Sequence, residues 1–371
     1  MIKILFLIHD LGQGGAEKVL VNLVNNMDLT KFEISVIALF GGGVNEQFLK
    51  PEIRYKAILK NTFPGNSQIM KLLSPEKLHD LIVKEKYDIE ISYLEGPSAR
   101  VISGCRKKNT KLVSWIHVEQ HSMKKLAYSF RSEKEALACY RCFDKIVCVS
   151  KFVENDFCNI TKIQKPTTVL YNTVESQKIR TAATELEEEF VDDGRIRLIA
   201  VGTLKESKGY ARLLNIIKKL KEEYPIHLYI LGIGPLQKSI EEYIQENGMV
   251  NVVTLLGYKT NPYKYVAKSD LLVCASYAEG FSTAVTEALI LGTPVCTVDV
   301  SGMRELLGNN DEYGIVTENN EEALYQGIKK LLDDKELLEY YKKQVQHRGN
   351  KFETKTTVEA VEKLLLECLE A

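Results

Sequence analysis

Glu279 and Glu287 stand eight residues apart in the stretch Glu279-Gly-Phe-Ser-Thr-Ala-Val-Thr-Glu287-Ala-Leu, directly after the apolar run 271–274 and ahead of Gly292-Thr293-Pro294. That order reads as strand, loop and helix. Gly280 lets the backbone come close to a ligand, and Ser282 or Thr283 can cap a helix that runs to about residue 291. The unpaired N–H groups of its first turn suit a diphosphate. Glu279 then falls in the loop and Glu287 about one turn inside the helix, so the two carboxylates reach different parts of one ligand. An ionised carboxylate accepts from two neighbouring hydroxyls, which sugar rings offer. Taken alone, the same pair also reads as a carboxylate at a helix N-terminus and a solvated helix glutamate.

Four further turns follow apolar runs. Lys208-Gly209 closes the stretch 201–209, where a lysine beside a glycine at a strand-to-helix turn suits phosphate, or simply starts a helix. Leu11-Gly-Gln-Gly14-Gly15-Ala16-Glu17 opens a helix after the first run; it lacks the third glycine of the dinucleotide fingerprint, and an ordinary turn has the same composition. Gly232-Ile-Gly234-Pro235 and Gly257-Tyr258 mark the other two. His117, in Ser-Trp-Ile-His117-Val-Glu-Gln-His121, is either an imidazole held at a site or a hydrogen-bonded loop residue.

Metal chemistry finds little support. Glu119 is misplaced for a His-Glu-x-x-His motif spanning His117 and His121, and Cys139-Tyr-Arg-Cys142 has no second pair at zinc-finger spacing. No Asp-x-Asp occurs, so no divalent cation is expected at a diphosphate. The eight cysteines sit mostly in apolar or helical surroundings, which suits reduced thiols in a cytoplasm.

The elements that must position these residues alternate short Ile/Leu/Val-rich runs with amphipathic stretches, the pattern of βαβ units in parallel sheets. Strands are predicted at 2–8, 32–38, 89–93, 111–116, 145–149 and 167–170, then at 197–201, 227–231, 251–255, 271–274 and 294–298. A chain of 371 residues is long for one core, so two doubly wound α/β domains are expected, each presenting the carboxyl ends of its strands to a shared cleft. The acidic segment 184–193 reads as connector, and the amphipathic stretch 354–369 has no strand after it. The expected division is 1–174, 175–352, and a helix over 353–371 that returns to the first domain. No apolar stretch approaches the roughly 20 residues of a membrane span, and the N-terminus reads as a strand and not as a signal peptide. Residues 1–172 hold 25 Lys+Arg and 18 Asp+Glu, net +7; subtraction from the totals of 49 and 50 leaves 24 and 32, net −8, in residues 173–371. The basic half, with Arg106, Lys107, Lys108, Lys111, Lys124, Lys125, Arg131 and Lys134, presents either a solvated face or a surface for anionic lipid.

Glu279 and Glu287 inside Glu-Gly-Phe…Glu-Ala-Leu, the Val201-Gly-Thr-Leu…Lys208-Gly209 loop and the Gly14-Gly15-Ala-Glu turn together resemble the retaining glycosyltransferases of the GT-B fold, glycosyltransferase family 4, over nearly the whole chain. The resemblance implies a hexosyl or N-acetylhexosaminyl transfer from a nucleotide diphosphate sugar, most commonly a UDP-sugar, to a saccharide or lipid-linked saccharide, with retention, in bacterial surface polysaccharide synthesis. It implies an acceptor role for the first domain and a donor role for the second. Glu279 is then expected at the donor sugar, Glu287 at the ribose, the backbone at Gly280 and Phe281 with Ser282 and Thr283 at donor oxygens, and Lys208 at the diphosphate. Gly14, Gly15, Thr203 and Gly234 are expected to line the donor, Tyr258 to meet the base, and His117 to stand near the reacting centre. Two positions depart from the family: Thr203 replaces the usual arginine, and Thr173 the usual glycine of the Tyr-Asn-Gly turn. The rival expectations are a nucleotide-sugar epimerase of similar fold and a catalytically silent nucleotide-sugar-binding subunit. The reading calls for no metal, no cofactor and no nucleic acid, and for a cytoplasmic protein at most peripheral to the inner membrane face.

Overall fold

Ile4 to Ile8 are each 0% exposed. They lie in a strand, and a strand covers five consecutive apolar residues that completely only when both its faces are packed, which is the situation of a parallel sheet between helix layers. The computed structural model describes residues 1–370 apart from 13, 62–64, 66–67, 69, 186–189 and 191–192. Most of the acidic segment 184–193 thus lies outside the described residues.

The chain forms two compact units, Met1–Val174 with Thr354–Ala371, and Glu175–Glu353. In the first, strands β1 (Ile2–Ile8), β2 (Phe32–Phe40), β3 (Arg54–Leu59), β4 (Ile89–Ser92), β5 (Lys111–Ile116), β6 (Lys145–Cys148) and β7 (Thr167–Val169) make one sheet in the order β3-β2-β1-β4-β5-β6-β7. In the second, β8 (Ile196–Val201), β9 (Ile226–Leu231), β10 (Val253–Gly257), β11 (Leu271–Cys274), β12 (Val295–Val298) and β13 (Ile315–Thr317) take the order β10-β9-β8-β11-β12-β13. Every pairing is parallel. Each sheet therefore changes winding direction once, between β1 and β4 and between β8 and β11, and ligand crevices of doubly wound sheets open there.

Two strands were not foreseen, β3 and β13, and both are sheet edges. β3 alternates exposed and half-buried residues around Arg54 and Lys56, and β13 spans three residues, so neither carries the apolar run that marks the inner strands. The strand expected at 251–255 lies at Val253–Gly257, where Gly257 at φ +68 shifts the register against β9. The helix Thr354–Glu370 packs in the first unit, beside the helix Gly15–Asn26: the Asp28 amide donates to Glu362 Oε1 at 2.6 Å, and Thr354 Oγ1 to the Val174 carbonyl at 2.8 Å. All eight cysteines are free thiols. No helix among the described residues is long and apolar enough to cross a membrane.

Candidate active site

In the second unit the loops leaving β8 and β11 meet at the switch point. Gly209 makes the meeting possible: it stands at φ +67, and a Cβ there would lie 1.9 Å from the Ala275 carbonyl oxygen. The Tyr277 amide donates to the Ser207 carbonyl at 2.8 Å. Across this seam Lys208 Nζ donates to Glu279 Oε1 at 2.6 Å, and Ser276 Oγ donates to the same oxygen at 2.6 Å. The pair is accessible but sheltered, with side-chain exposures of 23% for Lys208 and 11% for Glu279. The turn after β9 supports the turn after β8, since a Cβ on Gly232 would meet the Gly202 carbonyl at 2.0 Å and one on Gly234 the Leu204 carbonyl at 2.4 Å. Gly234 is thereby a packing residue of the loop. Tyr210 Oη ties the same loop from below, donating to the Gly202 carbonyl at 2.8 Å.

The helix after Glu279 spans Thr283–Leu291, and Ser282 caps it, its Oγ accepting from the Val285 amide at 3.4 Å. Most of that helix is buried, so its N-terminal N–H groups are fixed in direction by the core. Glu287 is itself buried, with Tyr263 Oη at 3.5 Å from its Oε1. Phe281 is 5% exposed with its ring 6.0 Å from that of Phe352, so its side chain belongs to the core and only its backbone can face a ligand. Gly280 and Thr283 are half-buried, Thr203 and Lys205 exposed, and Tyr258, just past the Gly257 turn, is 60% exposed.

Arg212 and Ser276 belong to this constellation and have no motif of their own. Arg212, in the first turn of the helix Tyr210–Leu220, donates from Nε to the Ala275 carbonyl at 2.7 Å and from Nη2 to the Ser276 carbonyl at 2.9 Å. Their only sequence cue was position, an arginine three residues past a phosphate-type glycine and a serine three before a glutamate.

The first unit gathers a second set at its own switch point. Gly14 precedes the helix Gly15–Asn26 in extended conformation without a side-chain cap, and both Gly14 and Gly15 are exposed. A Cβ on Gly14 would lie 2.0 Å from Glu17 Oε2, so the glutamate folds over the turn; burial raises its pKa. At the end of β1, His9 Nδ1 lies 2.6 Å from Asp10 Oδ2, and this hydrogen bond holds the Asp10 carboxyl below its ordinary value. His117 follows β5; its amide and that of Val118 both donate to Glu95 Oε1 at 2.8 Å. Its ring lies 4.8 Å from Tyr93, and burial lowers its pKa to about 3, against an opposing hydrogen bond to the Tyr93 backbone. The imidazole is therefore neutral, and its Nε2 is buried without a partner among the described residues. His117 and His121 share no helix, since residues 117–121 form a loop in which His121 takes φ +58.

Among the described residues one group could hold a metal, His79, Glu90 and Cys105, with ligand atoms within 4.8 Å of one another. His79 Nε2 is 2.6 Å from Glu90 Oε2 and Lys107 Nζ is 3.6 Å from Glu90 Oε1. Burial works against a charged His79, yet hydrogen bonds with Cys105 and Glu90 prevail and raise its pKa to about 9. Two cations thus already balance this carboxylate.

Two parallel sheets layered with helices, each with its candidate residues at a switch point, have the architecture of the GT-B class of fold. Solved structures agree: HepE of Anabaena in complex with UDP and glucose has a TM-score of 0.79 at 18% identity, over 98% of this chain and 99% of that one. A glycosyltransferase from Rickettsia africae gives 0.78 at 19% identity, over 99% and 98%. The family model described as Glycosyltransferase Family 4 matches residues 13–178 and that described as Glycosyl transferases group 1 matches residues 182–348. An N-acetylgalactosamine-N,N'-diacetylbacillosaminyl-diphospho-undecaprenol 4-alpha-N-acetylgalactosaminyltransferase of Campylobacter jejuni is 31% identical over 95% of this chain and 96% of its own. A GalNAc-alpha-(1->4)-GalNAc-alpha-(1->3)-diNAcBac-PP-undecaprenol alpha-1,4-N-acetyl-D-galactosaminyltransferase of the same organism is 25% identical over 99% of both chains. The chain belongs to the family 4 glycosyltransferases of the GT-B fold. It is an enzyme that moves a sugar from a nucleotide-sugar to a saccharide or lipid acceptor in polysaccharide biosynthesis.

Proposed function

We propose that the enzyme transfers a hexosyl or N-acetylhexosaminyl group from a UDP-sugar, with retention, to a lipid-linked saccharide at the inner face of a bacterial membrane. The observation that carries the donor half is the Lys208–Glu279 pair, 2.6 Å apart, beside the Ser282-capped helix. In the reaction the bond from the anomeric carbon to the diphosphate oxygen breaks, one to the acceptor oxygen forms, and the acceptor hydroxyl's proton passes to the departing diphosphate. The negative charge on the departing diphosphate falls to Lys208 and to the N–H groups at Gly280–Thr283, fixed donors aimed where charge develops. Glu279, held by Ser276, accepts from sugar hydroxyls; Glu287 accepts from the ribose and Tyr258 lies against the base. The neutral His117 offers its unpaired Nε2 as a hydrogen-bonding group near the reacting centre, and Gly14 and Gly15 leave the backbone of the first unit open to a ligand. The donor role goes to the second unit and the acceptor role to the first.

The lipid half draws on a surface patch of the first unit. Leu72 is 77% exposed and Tyr128 66%, and Lys71 Nζ stands 5.6 Å over the Tyr128 ring. Arg131 fastens that loop, donating from Nε to the Lys71 carbonyl at 2.6 Å and from Nη2 to the Leu72 carbonyl at 3.0 Å. With Lys124 and Lys125 close by in the one-turn helix Met123–Leu126, the patch pairs apolar and aromatic tips with cations, as anionic lipid requires, at about 1 kcal/mol per basic residue.

A panel of UDP- and GDP-sugars tests the reading by thermal stabilisation and by nucleotide release with EDTA present. Stabilisation by one donor with acceptor-dependent, EDTA-insensitive release is expected. Conversion of the donor without acceptor would replace transfer by epimerisation, and binding without release would favour a silent subunit. Sedimentation with vesicles that is indifferent to anionic lipid would remove the membrane half alone.

A further inference from the structure

Between β11 and Glu279 the chain has no regular structure to hold it, yet it carries the acid that the donor reading depends on. Arg212, 5% exposed, supplies the hold. Beyond its two bonds to the Ala275 and Ser276 carbonyls, its Nη1 donates to Asn319 Oδ1 at 2.8 Å, and its Cζ lies 4.2 Å from the centre of the Tyr277 ring. Asn319 in turn reaches the Tyr277 carbonyl with its Nδ2 at 3.5 Å. Three consecutive residues, 275 to 277, are thus fastened to one guanidinium. The next links are short: Ser276 Oγ bonds Glu279, and the Gly209 turn that starts the helix of Arg212 also presents Lys208. A planar fork with donors in three directions can fix two carbonyls and an amide oxygen at once; an ammonium of the same charge cannot.

We infer that Arg212 is a positioning residue of the donor site, setting Glu279 and Lys208 in register by clamping residues 275–277 to the helix that carries the Lys208 turn. It touches no reacting atom itself. The inference rests on the donor reading above and acts through it.

Arg212→Lys in the full chain is the test, read by amide hydrogen exchange of residues 275–282, by melting temperature and by kinetics in each substrate. The expected result is exchange in 275–282 faster by about tenfold, donor kcat/KM lower by about 10 to 100-fold, as loss of one or two charge-assisted bonds implies, acceptor KM within about twofold, and a melting temperature within a few degrees. Unchanged exchange overturns the inference. So does faster exchange with unchanged donor kcat/KM, or equal damage to acceptor KM and melting temperature, which would mark a general structural role. If the lysine variant does not fold, Asn319→Ala removes one partner and leaves Arg212 in place; donor kcat/KM should fall by about 3 to 10-fold, and no fall overturns the inference. A parent chain inactive with every nucleotide-sugar would instead sink the proposed function, and exchange alone would then decide whether Arg212 holds the loop.

Discussion

Lys208 and Glu279 neutralise each other, so a diphosphate must compete with a carboxylate for the same ammonium. Removing the carboxylate charge should therefore separate binding from chemistry. Glu279→Gln is expected to leave UDP affinity unchanged or several-fold tighter while kcat falls by about a hundredfold, whereas Lys208→Met should weaken both. Titration calorimetry with UDP beside initial rates distinguishes them, and turnover of the glutamine variant within a few fold would end the assignment. His117 makes a second residue-scale prediction, on stability. Its folded pKa of about 3 lies below the ordinary 6.5, so between those values the unfolded chain binds the proton and the folded one does not. The stability that depends on its neutral form is complete above about pH 6.5 and drains away as pH falls toward 3. His117→Asn should flatten the loss of denaturation midpoint between pH 7 and 4; parallel curves for both proteins would show that His117 is not the group involved.

Loops at the switch point work because two backbones touch, and Gly209 is where they do. Gly248 has a similar positive φ, +60, with nothing within 4 Å of a Cβ, so it isolates strain from collision. Gly248→Ala should cost about 1 kcal/mol and leave nucleotide binding alone. Gly209→Ala adds the collision with Ala275 and should raise the Kd for UDP by tenfold or more; equal affinities in the two variants would show that the loops need not touch. The same contrast explains what could be read from the chain before folding. β1 announces itself because both its faces are covered and no polar residue interrupts Ile4–Ile8, whereas β3, at a sheet edge, keeps Arg54 and Lys56 facing solvent and looks like loop. A cap at Ser282 or Thr283 is legible from residue types alone, and the fold makes it Ser282. The Lys208–Glu279 pair joins residues 71 apart, and Arg212 reaches Ala275 across 63. Such contacts depend on which strands lie side by side, and no local pattern encodes that.

At the scale of the whole molecule the chain belongs to the first unit, leaves it after Val174 and returns at Thr354. The returning helix is no loose tail: Val358, Val361, Leu364 and Leu365 are at most 5% exposed, and Glu362 accepts from the Asp28 amide just past the helix Gly15–Asn26. Each such side chain contributes about 1.5–3 kcal/mol by burial, so the four together amount to about 6 kcal/mol or more, a large part of the 5–15 kcal/mol that holds a typical domain. The partner face would also be laid open to water. The second unit loses nothing of its own sheet, because all of its strands and the Lys208–Glu279 site lie within Glu175–Glu353. A chain ended at Glu353 should therefore show selective damage: in calorimetry the transition of the first unit disappears or drops by tens of degrees, and limited proteolysis leaves an intact fragment of the second unit that still binds UDP. The two losses must separate for the architecture to be understood correctly. Survival of both transitions within a few degrees would mean that the helix is dispensable packing, and loss of both would mean that the second unit cannot stand without the first.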